Sequence, residues 1–327
     1  MGENILDYII YAAAAVVVVI LAVNASRYAN MLDRNSKLPG AFIGAVILAA
    51  ITSLPEFFTS LSSVTIFHMQ DFPVGNVLGS NIFNLSVMSL MILVYGKKFR
   101  KARLSRVYSR IAIIVIIMYA LAGIGFIAGD RLSIAHFGIV SVLIAMLYIA
   151  GAKYAAMADD ITADESALKY VASVDKGLSN RQALGRLIVT SGFLVIASGV
   201  VTYAAGNLTV AWGLSNGFAG AVFLGIATSI PEVTSVVTLF RVKNFDIAVG
   251  GIIGSSMFNF LILAITDAVY LRNIYIVSEP KIEIMTLAGL LSTAFFLLMM
   301  IEREKERRMN IVCPVLIILC YAGFFFI

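Results

Sequence analysis

Apolar runs separated by short polar segments cover almost the whole chain. Taken by length, they mark ten spans near 8–26, 39–67, 74–95, 109–128, 134–156, 184–205, 214–240, 247–270, 282–301 and 310–326. Most hold the roughly 20 apolar residues that a bilayer-crossing helix needs. The pattern predicts an all-α polytopic membrane protein. Two of the runs are interrupted where interruption is costly. Residues 46–64, VILAAITSLPEFFTSLSSV, carry Thr52, Ser53, Pro55 and Glu56; residues 225–236, GIATSIPEVTSV, carry Thr228, Ser229, Pro231 and Glu232. A charge at mid-bilayer costs roughly 2.5–3.5 kcal/mol even on the lenient insertion scale, so such residues face a protein interior or an ion path.

The interruptions are part of a longer repeat. The first is followed by GNVLGSNIFNL (75–85) and the second by GGIIGSSMFNF (250–260). Glu56 precedes Asn84 by 28 residues, and Glu232 precedes Asn259 by 27. Five spans fall in each half, an odd number, so the second half inserts upside down relative to the first. That is the inverted-repeat plan of secondary transporters, with the site near the midplane where the repeats meet. The expected organisation is a first five-helix repeat over 1–156, a cytoplasmic linker over 157–183 and a second repeat over 184–327.

Composition and charge agree. Of 327 residues, 60% are hydrophobic and 13% charged, too little charge to cover a soluble domain of this size. The net charge of +5 is not a nucleic-acid footprint, because the basic residues sit in the short segments between apolar runs. Segments after odd-numbered spans collect 21 of the 24 Lys and Arg; the other side has only Arg131, Arg272 and Lys281. The positive-inside rule then places odd loops in the cytoplasm and both termini outside the cell membrane. The N-terminus, with Glu3 and Asp7 and no basic residue, lacks the n-region of a cleaved signal peptide. Cys313 and Cys320, about 10.5 Å apart along one helix, are too far apart for a disulfide.

The repeated polar residues fix the candidate chemistry. Thr52 and Ser53 lie four and three residues before Glu56, and so share its helix face; Ser80 and Asn84 share a face of the next span. Thr228, Ser229 and Glu232, with Ser255 and Asn259, repeat the arrangement. Every candidate ligand is an oxygen donor or an amide, with no His or Cys. Such sites suit hard cations, and calcium accepts 6–8 oxygens in forgiving geometry where magnesium demands a tight octahedron. Pro55 and Pro231 remove a donor and crowd the carbonyls of Ile51 and Ala227, which at membrane depth is tolerated where carbonyls line a cavity or hold ions. Glycines 75, 79, 250 and 254 allow close helix approach. Two glutamates supply −2, which one Ca²⁺ or two monovalent ions neutralise. Such a site crosses the membrane only when occupied, the electrostatic basis of exchange.

Other polar residues read more plainly. Thr59, Ser60 and Ser63 are helix glue or an outer access path. His68 and His136 sit near span ends, as interfacial residues. Asp71 and Asp246 stand where N-caps are expected. The acidic residues Asp159, Asp160, Asp164 and Glu165 lack EF-hand order and read as a solvated linker or a weak cation collector. The basic run from Lys97 to Arg110 reads as a topology anchor or an anionic-lipid contact. Asp267 and Glu279 flank an outer loop without an evident task.

At both Thr-Ser-x-Pro-Glu segments and the Gly-Ser-x-x-x-Asn segments that follow, the chain resembles the cation/calcium exchanger superfamily, and within it the prokaryotic sodium/calcium exchangers. The resemblance covers the whole length. It implies a site built by spans 2, 3, 7 and 8 that holds one calcium or several sodium ions in turn. By position, it assigns the carbonyl of Ala49 with Thr52, Ser53, Glu56, Ser80 and Asn84. It assigns likewise the carbonyl of Gly225 with Thr228, Ser229, Glu232, Ser255 and Asn259. It further implies that spans 1 and 6 slide against the rest. Three departures stand out. Ile51 and Ala227 replace the usual Gly before Thr-Ser; Asn259 stands where sodium-driven members often carry Asp; and the linker is too short for a large calcium-sensing domain.

The expected function is antiport of calcium against sodium, normally extruding calcium. Proton/calcium exchangers of the superfamily typically read Gly-Asn-x-x-Glu at the signature, and the retained Thr-Ser favours sodium; protons at the same two glutamates are the alternative. A cation channel fits less well, since channels usually build selectivity from a symmetric oligomer. No Ser/His, paired-aspartate or H-E-x-x-H arrangement suggests an enzyme. The expected partners are calcium, sodium and the lipid bilayer, with no cofactor, no nucleic acid and no obligate protein partner.

Overall fold

The computed structural model describes residues 2–32, 42–134, 137–157, 180–270, 272–276, 280–303, 305–306, 308–324 and 326. The linker proposed for 157–183 and His136 and Glu279 lie almost wholly or wholly outside them. Helices dominate the described residues, with one antiparallel two-residue ladder, β1 (Ser133–Ile134) on β2 (Phe137–Gly138), among them. The chain begins with α1 (Gly2–Leu32). A π-helical turn, Ile43–Leu48, then leads into α2 (Ala49–Thr52), and α3 (Leu54–Thr65) follows at an angle. Next come α4 (Asp71–Arg100), α5 (Val107–Ala128) and α6 (Ile139–Ala156).

The second part repeats the sequence of elements. After α7 (Asn180–Trp212) come α8 (Asn216–Ala219), a π-helical turn at Gly220–Leu224, α9 (Gly225–Thr228) and α10 (Ile230–Arg241). The chain closes with α11 (Phe245–Val269), α12 (Pro280–Glu302) and α13 (Met309–Phe324). Among the described residues seven helices are long and apolar enough to cross a membrane, or nine if each bent pair is one span; α13 is a shorter apolar helix.

Burial sorts the helices into layers. In α11, 89% of the apolar window is buried and in α4 67%, against 17% in α1 and 28% in α7. So α4 and α11 form the centre, and α1 and α7 pack on one another at its flank. Glycine sets how closely the centre packs. A Cβ at Gly79 would stand 2.6 Å from Ala221, in the second π turn, and one at Gly254 would stand 2.1 Å from the carbonyl of Ala45, in the first. Through Gly79 and Gly254 each central helix thus lies backbone-to-backbone on the π turn of the other half, whereas a Cβ at Gly75 would meet the carbonyl of Gly217 and one at Gly250 the ring of Tyr108.

Two expectations for aspartates are corrected. Gln70 occupies the N-cap position of α4, and Asp71 is its first helical residue. Asn244 caps α11, its Oδ1 accepting from Ile247 N at 3.2 Å. Asp246 instead reaches across to the start of α5, accepting from Ser105 N at 2.7 Å and from Tyr108 Oη at 3.0 Å. That contact ties two helices together, which is a larger task than capping one. Asp267, without an assigned task in the sequence, is fully buried. It accepts from Ser141 Oγ at 2.7 Å, Gly138 N at 2.9 Å and Ile274 N at 3.0 Å, and so staples the end of α11 to β2, α6 and the following loop. His68 is exposed, in the turn between α3 and α4, with φ 55°.

Candidate functional site

The two interrupted runs bend. The axis turns by 51° between Gly44–Thr52 and Leu54–Thr65, and by 46° between Asn216–Thr228 and Ile230–Arg241. Ser53 (φ −87°, ψ 13°) and Ser229 (φ −82°, ψ 1°) are the non-helical hinges, and Pro55 and Pro231 open the helices that follow. Proline suits that first turn because its missing N–H has no helical acceptor there. A π turn runs up to α2 and another up to α9, an arrangement often found at functional sites because it re-aims backbone groups. The break thus sits two residues before each proline.

Each hinge places a carboxylate at the start of a helix deep in the protein. Glu56 and Glu232 are 0% and 2% exposed. Their first oxygens are held crosswise. Ser53 Oγ donates to Glu232 Oε1 at 2.8 Å, and Ser229 Oγ donates to Glu56 Oε1 at 3.0 Å. Ser255 Oγ stands 3.4 Å from Glu232 Oε1 and 2.8 Å from Ser53 Oγ. The second oxygens, Glu56 Oε2 and Glu232 Oε2, are buried with no hydrogen bond among the described residues. A buried carboxylate oxygen without a partner is costly, a cost that a cation or a proton would relieve.

The hydroxyls of the two threonines are oriented by their own helices. Thr52 Oγ1 donates to Leu48 O at 3.0 Å, and Thr228 Oγ1 donates to Leu224 O at 2.8 Å. With the proton committed backwards, the oxygen lone pairs face away and can accept a cation. The carbonyl of Ala49 accepts from Ser53 N at 3.0 Å and lies 3.3 Å from Thr52 Oγ1, and that of Gly225 accepts from Ser80 Oγ at 3.2 Å. Asn84 and Asn259 are buried, and Asn84 Oδ1, Asn84 Nδ2 and Asn259 Oδ1 have no hydrogen-bond partner among the described residues. Thr59 and Ser63 bond back to their own helix, through Pro55 O at 2.8 Å and Thr59 O at 2.7 Å.

Two buried amides escaped sequence reasoning. Asn76 Nδ2 donates to Ser60 Oγ at 2.9 Å and to Thr59 Oγ1 at 3.1 Å, while its Oδ1 lies 3.4 Å from Thr228 Oγ1, whose proton goes to Leu224 O. Asn81 Oδ1 accepts from Asn259 Nδ2 at 2.9 Å. Both bridge the two halves. The repeat hid them, because the matching positions of the second half are Gly251 and Ser256. The signal that could have found them is an amide inside an otherwise apolar, glycine-spaced run, where an unpaired polar group is not tolerated.

No group of three or more His, Cys, Asp or Glu side chains able to hold a metal occurs among the described residues, so the charge here is that of two carboxylates. An all-oxygen cavity with two carboxylates, hydroxyls and amide oxygens can replace the hydration shell of a hard cation.

Comparisons with known proteins agree with this chemistry. The profile of the family described as sodium/calcium exchanger protein matches residues 7–153 and 182–327. The CaxA protein of Alkalimonas amylolytica is 25% identical over 315 residues, covering 94% of each chain. The inner membrane protein YrbG of Escherichia coli (strain K12) is 29% identical over 237 residues, covering 72% of this chain and 71% of YrbG. Among solved structures, the H⁺/Ca²⁺ exchanger CAX matches with a TM-score of 0.71 at 13% identity, covering 98% of this chain and 87% of CAX. The sodium-calcium exchanger NCX_Mj matches with a TM-score of 0.61 at 17% identity, covering 96% of this chain and 99% of NCX_Mj. At those identities the likeness is one of fold.

Proposed function

The chain belongs to the sodium/calcium exchanger protein family, and from that premise we propose that it is a secondary antiporter exchanging calcium for sodium by alternating access, normally extruding calcium. The observation that carries the reading is the pair of buried glutamates, each with one oxygen held by a serine of the opposite half and the other oxygen unpartnered. Calcium binds between Glu56 and Glu232, with Thr52, Thr228, Ser53, Ser229, Asn84, Asn259, Ser80, Ser255 and the carbonyls of Ala49 and Gly225 forming the surrounding oxygens. Sodium occupies the same oxygens in turn.

Ten spans in two inverted five-helix repeats, 1–156 and 184–327, organise this site, with both termini outside the cell. The matching order of elements in the two parts and the reciprocal contact of each central helix with the opposite π turn support that organisation. Empty, the pocket carries −2 inside low-dielectric walls and does not cross; neutralised by one calcium or two monovalent ions, it does. The observation that favours a second reading, proton/calcium exchange, is the same pair of unpartnered oxygens, each able to hold a proton.

One assay separates them. Vesicles loaded with sodium and diluted into sodium-free medium are expected to take up calcium, and a pH gradient alone is expected to drive little uptake. Uptake driven only by the pH gradient overturns sodium as the counter-ion. Calcium flux without any counter-gradient overturns exchange altogether.

A further inference from the structure

We propose that Asn81 is a positioning residue that fixes which end of the Asn259 carboxamide faces the ion. The oxygen and NH₂ ends of an amide are nearly the same size, and the surrounding hydrogen bonds decide which way it points. The difference matters here: the oxygen end is a cation ligand, and the NH₂ end, carrying two N–H donors, repels a cation. Asn81 settles the choice for Asn259. Its Nδ2 points to the carbonyl of Ser256 at 3.5 Å, which leaves its Oδ1 as the acceptor for Asn259 Nδ2 at 2.9 Å. The NH₂ end of Asn259 is thereby occupied, and its Oδ1 is left buried and unpartnered. Asn259 lies one helical turn beyond Ser255, whose hydroxyl touches Glu232, so it shares the helix face that meets the glutamates.

The other half lacks this device. Ser256 is the counterpart of Asn81, and its hydroxyl donates back to Ile252 O at 3.2 Å rather than across to α4. Asn84, the counterpart of Asn259, has neither end of its amide bonded among the described residues. The two asparagines are therefore not equivalent. Asn259 is a fixed oxygen ligand, while Asn84 is free to turn.

The proposal rests on the exchange reading only in taking calcium as the probe. Calcium binding and calcium uptake are measured on the full chain in vesicles for the wild type, Asn81→Leu, Asn259→Asp and the double variant, each checked for folding by its elution as a single symmetric species. Outer-shell partners of metal ligands typically carry about 10- to 100-fold in affinity. Asn81→Leu, which keeps the shape and removes the acceptor, is expected to weaken calcium binding by about tenfold or more. Its maximal uptake rate at saturating calcium is expected to stay near that of the wild type. In the Asn259→Asp background, either rotation presents an oxygen, so Asn81→Leu is expected to cost no more than about threefold, well under the outer-shell range. Asn81→Ala serves in both backgrounds if the leucine variant does not fold. An equal loss in both backgrounds, or no loss in the wild-type background, overturns the orienting role while leaving exchange standing. A wild type that binds no calcium overturns both.

Discussion

Each glutamate of the pair has one oxygen held by the protein and one left open. One is committed to a serine of the opposite segment, and the other has no partner among the described residues. Glu56→Gln and Glu232→Gln each halve the charge and replace an oxygen by a donor, so either is expected to abolish calcium uptake in vesicles; full flux in both would sink the two-carboxylate site. The serines are expected to matter less and equally. A hydrogen bond to a charged group carries about 1.5–3 kcal/mol, so Ser53→Ala and Ser229→Ala should each weaken apparent calcium affinity by about tenfold or more. A titration of uptake against calcium checks this, and a large effect in one with none in the other would mean that the crossed bonds are not equivalent. At this scale the sequence was legible where the halves repeat. Glu56, Glu232 and their hydroxyl neighbours stand out because the same unusual residues occur twice. Asn76 and Asn81 do not repeat, and Asp267 accepts from donors at residues 138, 141 and 274, a set that only folding assembles.

Between elements, the closest contacts are made where glycine faces foreign backbone. A methyl group at Gly254 would collide with the carbonyl of Ala45, and one at Gly79 with Ala221, both in π turns. Overpacking of this kind costs typically about 1–3 kcal/mol, and more where backbone must move. Gly254→Ala and Gly79→Ala are expected to lower thermal stability sharply in detergent. Gly192→Ala in α7, where nothing lies within 4 Å, is the matched control and should be neutral or slightly stabilising. Equal behaviour of all three would refute the close-contact account. The glycines were legible as a motif, but their partners were not. A π turn is a change of hydrogen-bond register with no composition of its own, and nothing in Ile43–Leu48 or Gly220–Leu224 marks it in the sequence. The bends were legible through Pro55 and Pro231, although the hinges proved to be the serines two residues earlier.

For the whole molecule, the site's net charge decides how transport responds to voltage. With two carboxylates and no third acidic partner among the described residues, the expectation is two monovalent ions for each calcium, and so electroneutral exchange. Uptake into vesicles clamped at different potentials with potassium and valinomycin is expected to proceed at one rate; a rate that follows the potential would mean that further charge accompanies the stroke. The apolar spans were legible in hydropathy because apolar length is a local property; of the ten expected, seven, or nine with each bent pair as one, are long and apolar enough to cross among the described residues. How the spans are layered was not, because burial depends on partners that hydropathy does not name.

The layering has a consequence for speed. The flank pair α1 and α7 turns Ile5, Ile9 and Ile20, and Ile188, Phe193 and Ile196, away from the protein. Glycine contacts lock α4 and α11 against the π turns, so a stroke made by the flank pair is made against acyl chains. Friction from the bilayer then enters the turnover rate without entering the affinity. Cooling vesicles through the gel transition of a saturated lipid should slow exchange abruptly while calcium binding keeps its smooth temperature dependence. On that expectation the membrane is both the barrier to be crossed and the medium whose viscosity sets the pace.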